Sequence, residues 1–329
     1  MAWGWAALVA ALAFAASYLL TGAVRDWLTA HAIFDRPVAR SSHTVPVPRG
    51  AGLAIIPAIG AGWLALAWQQ APRGYAIVVV VAAALAILSW RDDRRGLTIP
   101  VRLGAHALAV AAGVSVLPSS PVFQGVLPLP LDHAAAAILW LWFVELYNFM
   151  DGIDGIAGVE TVALGIGLAF VLTLAGGDDG AAPFALVTAA AALGFLRWNW
   201  QPAQIFLGDV GSVPLGYMLG WLLLLAAARG LWAPALILPL YYLSDASITL
   251  LRRIGQRAPF WEAHREHFYQ RALGPEGDHA AVARLVLYGD AALVALALLA
   301  VKHPGPALLL AIAVVALLIH WLHRRARHG

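Results

Sequence analysis

The chain alternates long apolar runs with short polar stretches, and eleven of the runs are candidate membrane-spanning helices. They lie near residues 2–22, 50–68, 75–90, 103–118, 133–149, 157–176, 181–197, 211–229, 231–252, 285–302 and 305–323. A span needs about 20 apolar residues to cross roughly 30 Å of hydrocarbon, because a helix satisfies its own backbone hydrogen bonds there. Several runs hold only 16 or 17 residues, so ten or eleven spans is the expected range, with one re-entrant segment as the alternative. The pattern predicts an all-α polytopic bundle forming a single domain over 1–329, with no linker long enough to divide it. The first run has no charge before it and no small-residue cleavage site after it, and reads as a retained span.

Two polar stretches exceed tight-turn length. One is 23–49, with RPVARSSHTVPVPRG; the other is 253–284, where Phe260, Trp261, Phe268 and Tyr269 mixed with His and Arg predict a loop or short helix at headgroup level. The segment PSSPVFQGVLPLPLDH predicts a bent hairpin on the opposite side. No internal repeat is visible.

Composition strengthens the membrane reading. The 329 residues are 61% hydrophobic and 12% charged, against about 25% charged in a soluble domain. The net charge of +3 does not form a nucleic-acid face, because the cations sort by loop. With the amino terminus outside, 18 of the 21 Lys and Arg fall on the cytoplasmic side, leaving Arg73, Arg229 and Lys302 opposite. The absence of cysteine excludes disulfides and thiolate metal sites.

The acids carry the chemistry, since most of them crowd the same side. In SWRDDRRGL, Asp92 and Asp93 leave the bilayer together; they share a cation or proton, or form a solvated helix end neutralised by Arg94 and Arg95. In YNFMDGIDGIAG, a helical reading puts Asp151 and Asp154 on one face beside a glycine stripe that admits a ligand or another backbone. In RWNWQPAQIFLGDVGS, Asp209 stands between two glycines with Asn199 ten residues earlier, suited to a phosphate or its metal, or to a plain helix cap. In AHREHFYQR, His264, Arg265 and His267 suit an anion better than zinc, which lacks a third ligand at standard spacing.

Taken in order, DDRRGL, YNFMDGIDGIAG, PAQIFLGDVGS and HREHFYQ resemble the polyprenyl-phosphate N-acetylhexosamine-1-phosphate transferases, and RSSHTVPVPRGAG is similar to that family's first cytoplasmic loop. The His-Arg-x-His form resembles the branch that starts O-antigen and related surface polysaccharides and departs from the histidine triplet of the muramoyl-pentapeptide branch. The resemblance implies a bacterial inner-membrane enzyme with its site on the cytoplasmic face. Its donor would be a UDP-sugar and its acceptor undecaprenyl phosphate, in a lipid setting, without nucleic acid; a homodimer is left open.

The resemblance implies Mg2+, with Mn2+ as the alternative ion, on Asp209 with Asp92 and Asp93 beside the lipid phosphate. Asn148, Asp151, Asp154 and Asn199 would line the nucleotide-sugar site together with His43 and Arg49, and His264, Arg265 and His267 would surround the diphosphate or sugar. Glu145 stands where many relatives have Asn, and Gly96 where some have a further Asp. A secondary transporter is the rival reading; it predicts midplane charges and two related halves.

Overall fold

A computed structural model describes residues 3–37, 42–70, 73–176, 180–258, 264–274 and 277–328. The chain is a helical bundle in the order α1 (Trp3–Ala30), α2 (Gly52–Gln70), α3 (Arg73–Arg95), α4 (Ile99–Val114), α5 (Leu129–Phe149), α6 (Ile156–Leu174) and α7 (Ala182–Asn199). It continues with α8 (Asp209–Ala228), α9 (Trp232–Ile237), α10 (Leu240–Gly255), α11 (Phe268–Arg271), α12 (His279–Ala300) and α13 (Pro304–His328). All eleven apolar runs become helix. Seven helices among the described residues are long and apolar enough to cross a membrane: α1, α3, α5, α6, α8, α12 and α13. Helices α2 and α4 are shorter apolar helices.

The ninth run is not one helix but two, α9 and α10, separated at Leu238 and Pro239. Proline has no N–H to offer a preceding carbonyl and its ring clashes with the turn before it, so the helix restarts beyond it. Helix α1 overruns its apolar stretch and carries Arg25 and Asp26 on its last turns. Between α1 and α2 a minimal antiparallel pair forms, β1 (Phe34–Asp35) against β2 (Val47–Pro48), with Phe34 opposite Pro48 and Asp35 opposite Val47. At the opposite end, the bent segment is held by buried Asp132, which accepts from the Val122 and Phe123 N–H groups. Phe260 and Trp261, like Arg40 and Ser41, lie outside the described residues.

Helix α8 is the axis of the bundle, with every residue except Asp209 and Leu224 buried. It packs on α2, α3 and α5, and small residues set the approach. A Cβ on Gly220 would lie 2.4 Å from Trp140 Cδ1, and the Trp140 ring stacks on Tyr217 with centroids 4.7 Å apart. Such contacts matter in lipid, where packing and hydrogen bonds replace the hydrophobic drive between helices. This fixed axis puts Asp209, its first residue, at the end of the bundle where the motif segments meet.

Candidate functional site

The site is built by crossing two glycine-rich segments that are remote in sequence. The RGAG stretch runs beside Phe206 and Leu207: Phe206 N–H donates to Pro48 O (2.8 Å), Gly50 and Ala51 donate to Phe206 O (both 3.0 Å), and Gly52 donates to Leu207 O (3.1 Å). The backbones touch, since a Cβ on Gly52 would lie 2.3 Å from Gly211 N. Gly208 adopts φ +73°, which lets the chain turn into α8 where a side chain would crowd Asp93 Oδ2 and Arg49 Cγ.

That crossing delivers Arg49 to the acids. Its Nη2 lies 2.9 Å from Asp93 Oδ1 and 2.5 Å from Asp209 Oδ1. Val210 N–H donates to the other Asp93 oxygen at 3.1 Å. Asn148 Nδ2 lies 3.5 Å from Asp209 Oδ2, and its Oδ1 accepts from Ser212 Oγ at 2.5 Å. Burial works against the Arg49 charge, but the carboxylates of Asp209 and Asp93 outweigh it and push its pKa further up. One guanidinium nitrogen touching both carboxylates shows that Asp93 and Asp209 converge closely enough to share a cation. Two hard oxygen donors are the kind of ligand Mg2+ takes, and that ion seldom uses an all-protein cage. Among the described residues no group of three or more His, Cys, Asp or Glu is arranged to hold a metal.

Asp92 is not brought to this pair. Consecutive helical residues point about 100° apart, and Asp92 instead accepts from Leu97 N–H (2.6 Å) and pairs with Arg102 (3.3 Å) at the α3–α4 turn. Gly96 makes that turn with φ +68°. Glu145 is taken by His106, whose Nδ1 lies 2.5 Å from Oε1.

Beside the carboxylate pair lies a cavity of about 250 Å³ lined by His43, Arg49, Asp151, Asp154, Asn199 and His264, among others. The helical reading of Asp151 and Asp154 is corrected here. Helix α5 ends at Phe149 and α6 begins at Ile156, so the two acids lie on a turn closed by Gly155 at φ +80°. They part in role as a result. Asp151 stays in the cavity wall, where burial raises its pKa well above the carboxylate range. Asp154 is tied into the scaffold, with one oxygen 2.9 Å from His279 Nδ1 and the other accepting from Ala203 N–H at 2.9 Å. Asn199 is also committed: its Oδ1 accepts from Gly155 N–H (2.9 Å) and its Nδ2 donates to Ile205 O (3.0 Å). His43 packs edge-on against Phe206 with centroids 4.9 Å apart.

The histidine motif is positioned by a residue the sequence reading passed over. Buried Asp245 on α10 lies 3.2 Å from His267 Nδ1 and accepts from the Phe268 (3.0 Å) and Tyr269 (3.2 Å) N–H groups. His264 stacks on His267 with ring centroids 5.0 Å apart. Burial, then the neighbouring His267 and Arg253, lower the His264 pKa to about 4, so this ring is neutral near pH 7. Tyr269 O–H donates to Phe149 O at 3.0 Å, and it approaches Gly152 so closely that a Cβ there would lie 2.3 Å from the hydroxyl oxygen. The glycine stripe thus admits another part of the protein. Arg265 is exposed and does not line the cavity. Asp245 escaped notice because it stands alone inside an apolar run, and His279 because it lies in the polar stretch 253–284 outside the motif segments. An acid inside an apolar run was itself the signal for Asp245.

Comparison with known proteins agrees with the resemblance. Residues 75–227 match the model of glycosyl transferase family 4. A probable undecaprenyl-phosphate N-acetylglucosaminyl 1-phosphate transferase of Bacillus subtilis is 32% identical over 150 residues, 44% of this chain and 42% of that protein. A decaprenyl-phosphate N-acetylglucosaminephosphotransferase of Mycobacterium tuberculosis is 32% identical over 243 residues, 65% of this chain and 58% of that protein. A phospho-N-acetylmuramoyl-pentapeptide-transferase of Lacticaseibacillus paracasei is 37% identical over 136 residues, 40% of this chain and 41% of that protein. The chain thus spans about half the length of the curated relatives it matches. The chain is similar to polyprenyl-phosphate N-acetylhexosamine-1-phosphate transferases, and the stretch that matches the glycosyl transferase family 4 model carries Asp92, Asp93, Asn148, Asp151, Asp154, Asn199 and Asp209.

Proposed function

We propose that the chain transfers a sugar 1-phosphate, of the N-acetylhexosamine type, from a UDP-sugar to undecaprenyl phosphate and releases UMP. The product would start O-antigen or a related surface polysaccharide. The observation that carries this reading is the convergence of Asp93 and Asp209 on one guanidinium nitrogen beside a polar cavity at one end of an apolar bundle. A soluble nucleotide sugar and a membrane-held phosphate can meet only at such an end. In this reading that end faces the cytoplasm of a bacterial inner membrane, which the sorting of the loop cations to one side supports.

In the reaction, an oxygen of the lipid phosphate attacks the β-phosphorus of the donor and UMP leaves. A phosphomonoester with second pKa about 6 is already mostly dianionic at neutral pH, so a strong base is not required. The obstacle is repulsion between two anions. Mg2+ held by Asp93 and Asp209 would supply charge neutralisation there. Arg49 bridges the two carboxylates and adds a fixed cation. Asp151 in the cavity wall would hold the donor, and Asn148 and Ser212 keep Asp209 oriented from α5 and α8.

The test is detergent-solubilised protein with Mg2+, undecaprenyl phosphate and a panel of UDP-sugars, with no sealed compartment. UMP and a lipid-extractable sugar should appear together. Added UMP should inhibit and drive the reverse reaction, because one phosphoanhydride replaces another. A transporter would yield neither. Orientation is checked separately: because the chain has no cysteine, one placed at exposed Gln256 should react with an impermeant thiol reagent only after cells are opened. Labelling of intact cells would reverse the topology.

A further inference from the structure

A second concavity opens on the side of the bundle and leads toward the same carboxylates. It is a groove of about 480 Å³ between α2 and α3, with Met218 of the axial helix α8 also in its lining. On α3 it is lined at Val79, Ala83, Ile87 and Trp90, spaced three or four residues apart and so on one helical face. The next step of three along that face is Asp93. The α2 wall runs from Gly52 to Leu64, and Gly52 belongs to the backbone crossing that brings Arg49 to Asp93 and Asp209. Each wall therefore starts beside the carboxylate pair. From there it descends about 18 Å, at 1.5 Å per helical residue, into hydrocarbon roughly 30 Å thick.

The depth and the mouth of the groove differ in chemistry. Small residues line the deep part, and the two helices touch there, since a Cβ on Gly60 would lie 3.2 Å from Val79 Cγ1. Leu64 and Ile87 in the walls are exposed, so the groove opens toward lipid. At the mouth, a Cβ on Gly50 would lie 3.0 Å from Trp90 Cζ3, which puts this ring against the residue after Arg49. The Arg94 guanidinium carbon lies 5.7 Å from the centre of the same ring. Exposed Arg91 is the one charged residue in the lining among the described residues. Tryptophan beside arginine is the composition of a helix end at headgroup depth. A groove apolar along its length and cationic at its mouth fits an amphiphile with one apolar chain and an anionic head. The other apolar groove, which includes Tyr18, Leu193 and Arg197, lies on α1 and α7, and these helices carry neither carboxylate.

We propose that the α2–α3 groove seats the prenyl chain of the acceptor, which enters sideways from the bilayer and carries its phosphate past Trp90 and Arg91 to Arg49, Asp93 and Asp209. That the phosphate is then a sugar acceptor rests on the transferase reading; the seating of the lipid phosphate in the groove does not. Lipid tails are as apolar as the groove, so its contribution is packing and orientation, not transfer from water.

The experiment uses the full chain in phospholipid nanodiscs and a polyprenyl phosphate that carries a photoreactive diazirine in the chain near the phosphate. Illumination should attach it to residues 53–64 or 79–91. Undecaprenyl phosphate should compete, and phosphatidic acid, which shares the phosphomonoester head but bears two acyl chains, should not. Adducts confined to other helices, or equal competition by phosphatidic acid, overturn the proposal, the latter because the groove would then hold ordinary lipid. Ala61→Phe and Ala83→Phe each place a ring in the groove from an exposed position. Each should lower kcat/KM for undecaprenyl phosphate by about tenfold, because a displaced chain misplaces its phosphate. UDP binding should stay within about twofold, and Leu193→Phe, in the other groove, should alter neither measurement. Unchanged kcat/KM in folded Ala61→Phe and Ala83→Phe proteins also overturns the proposal; if neither folds, the photolabelling of the unsubstituted chain decides. If UMP and lipid-linked sugar form while the label lands elsewhere, this inference fails and the transferase stands. If undecaprenyl phosphate displaces the label from the groove yet no UDP-sugar is consumed, the transferase reading fails and this one stands.

Discussion

Asp209→Asn is expected to reduce transfer by on the order of a hundredfold or more, at least about 2.7 kcal/mol of barrier, while the protein still folds. Folding should survive because the rest of α8 is anchored by its buried side chains, and the helix start, capped at Gly208, has no side-chain capping hydrogen bond to lose. What is lost is a negative oxygen at the point where Arg49 meets both acids. A neutral amide binds Mg2+ far more weakly than a carboxylate, and it leaves Arg49 paired with Asp93 alone. Turnover is read as UMP released with lipid-extractable sugar, and folding as an unchanged melting temperature. Near-normal turnover at low Mg2+ would remove Asp209 from the proposed metal site. Asp92→Asn makes the contrast: its carboxylate is bonded to Leu97 and Arg102 at the α3–α4 turn, so its loss should lower stability more than it lowers turnover.

The helices were legible because lipid imposes a simple rule: an apolar run long enough to span must be helix, whatever it packs against. The rule is blind to interruptions within a run, and so the break before Pro239 went unread although the proline that causes it was in plain view. It is equally blind to polar helix beyond the membrane, where α1 continues to Ala30. The site was legible as a set of residues and much less so as a geometry. The resemblance brings Asp93, Asn148, Asp151 and Asp209 into one list; in the fold Asp151 lines the cavity, and Asn148 lies beside the adjoining pair of Asp93 and Asp209. Local periodicity misled at Asp151 and Asp154, because a helical face was assumed where Gly155 takes a left-handed turn. The crossing of Gly50 and Gly52 over Phe206, Leu207 and Gly211 joins segments some 160 residues apart, and no local pattern encodes such a pairing.

Asp245→Ala is the second large effect, and it tests how the histidine segment is held. The carboxylate is fully buried on α10 and accepts from two consecutive backbone N–H groups, those of Phe268 and Tyr269, while lying 3.2 Å from His267 Nδ1. Tyr241 and Thr249 hydroxyls add 3.2 and 3.3 Å contacts from its own helix. Alanine would leave those donors without a partner, and each buried donor so orphaned costs roughly 1–3 kcal/mol. The sum over the two amides and the ring is on the order of 3 kcal/mol or more. The segment would more readily swing away than bear that cost, carrying His264 from the cavity and withdrawing Tyr269 from Phe149 and Gly152. The expected result is a lower melting temperature together with a loss of transfer larger than the melting shift explains. Asp245→Asn keeps an acceptor oxygen for part of the amide pair and should fall between wild type and Asp245→Ala in both measurements. Full transfer by a folded Asp245→Ala protein would show that the His264–Tyr269 segment holds its place without this carboxylate.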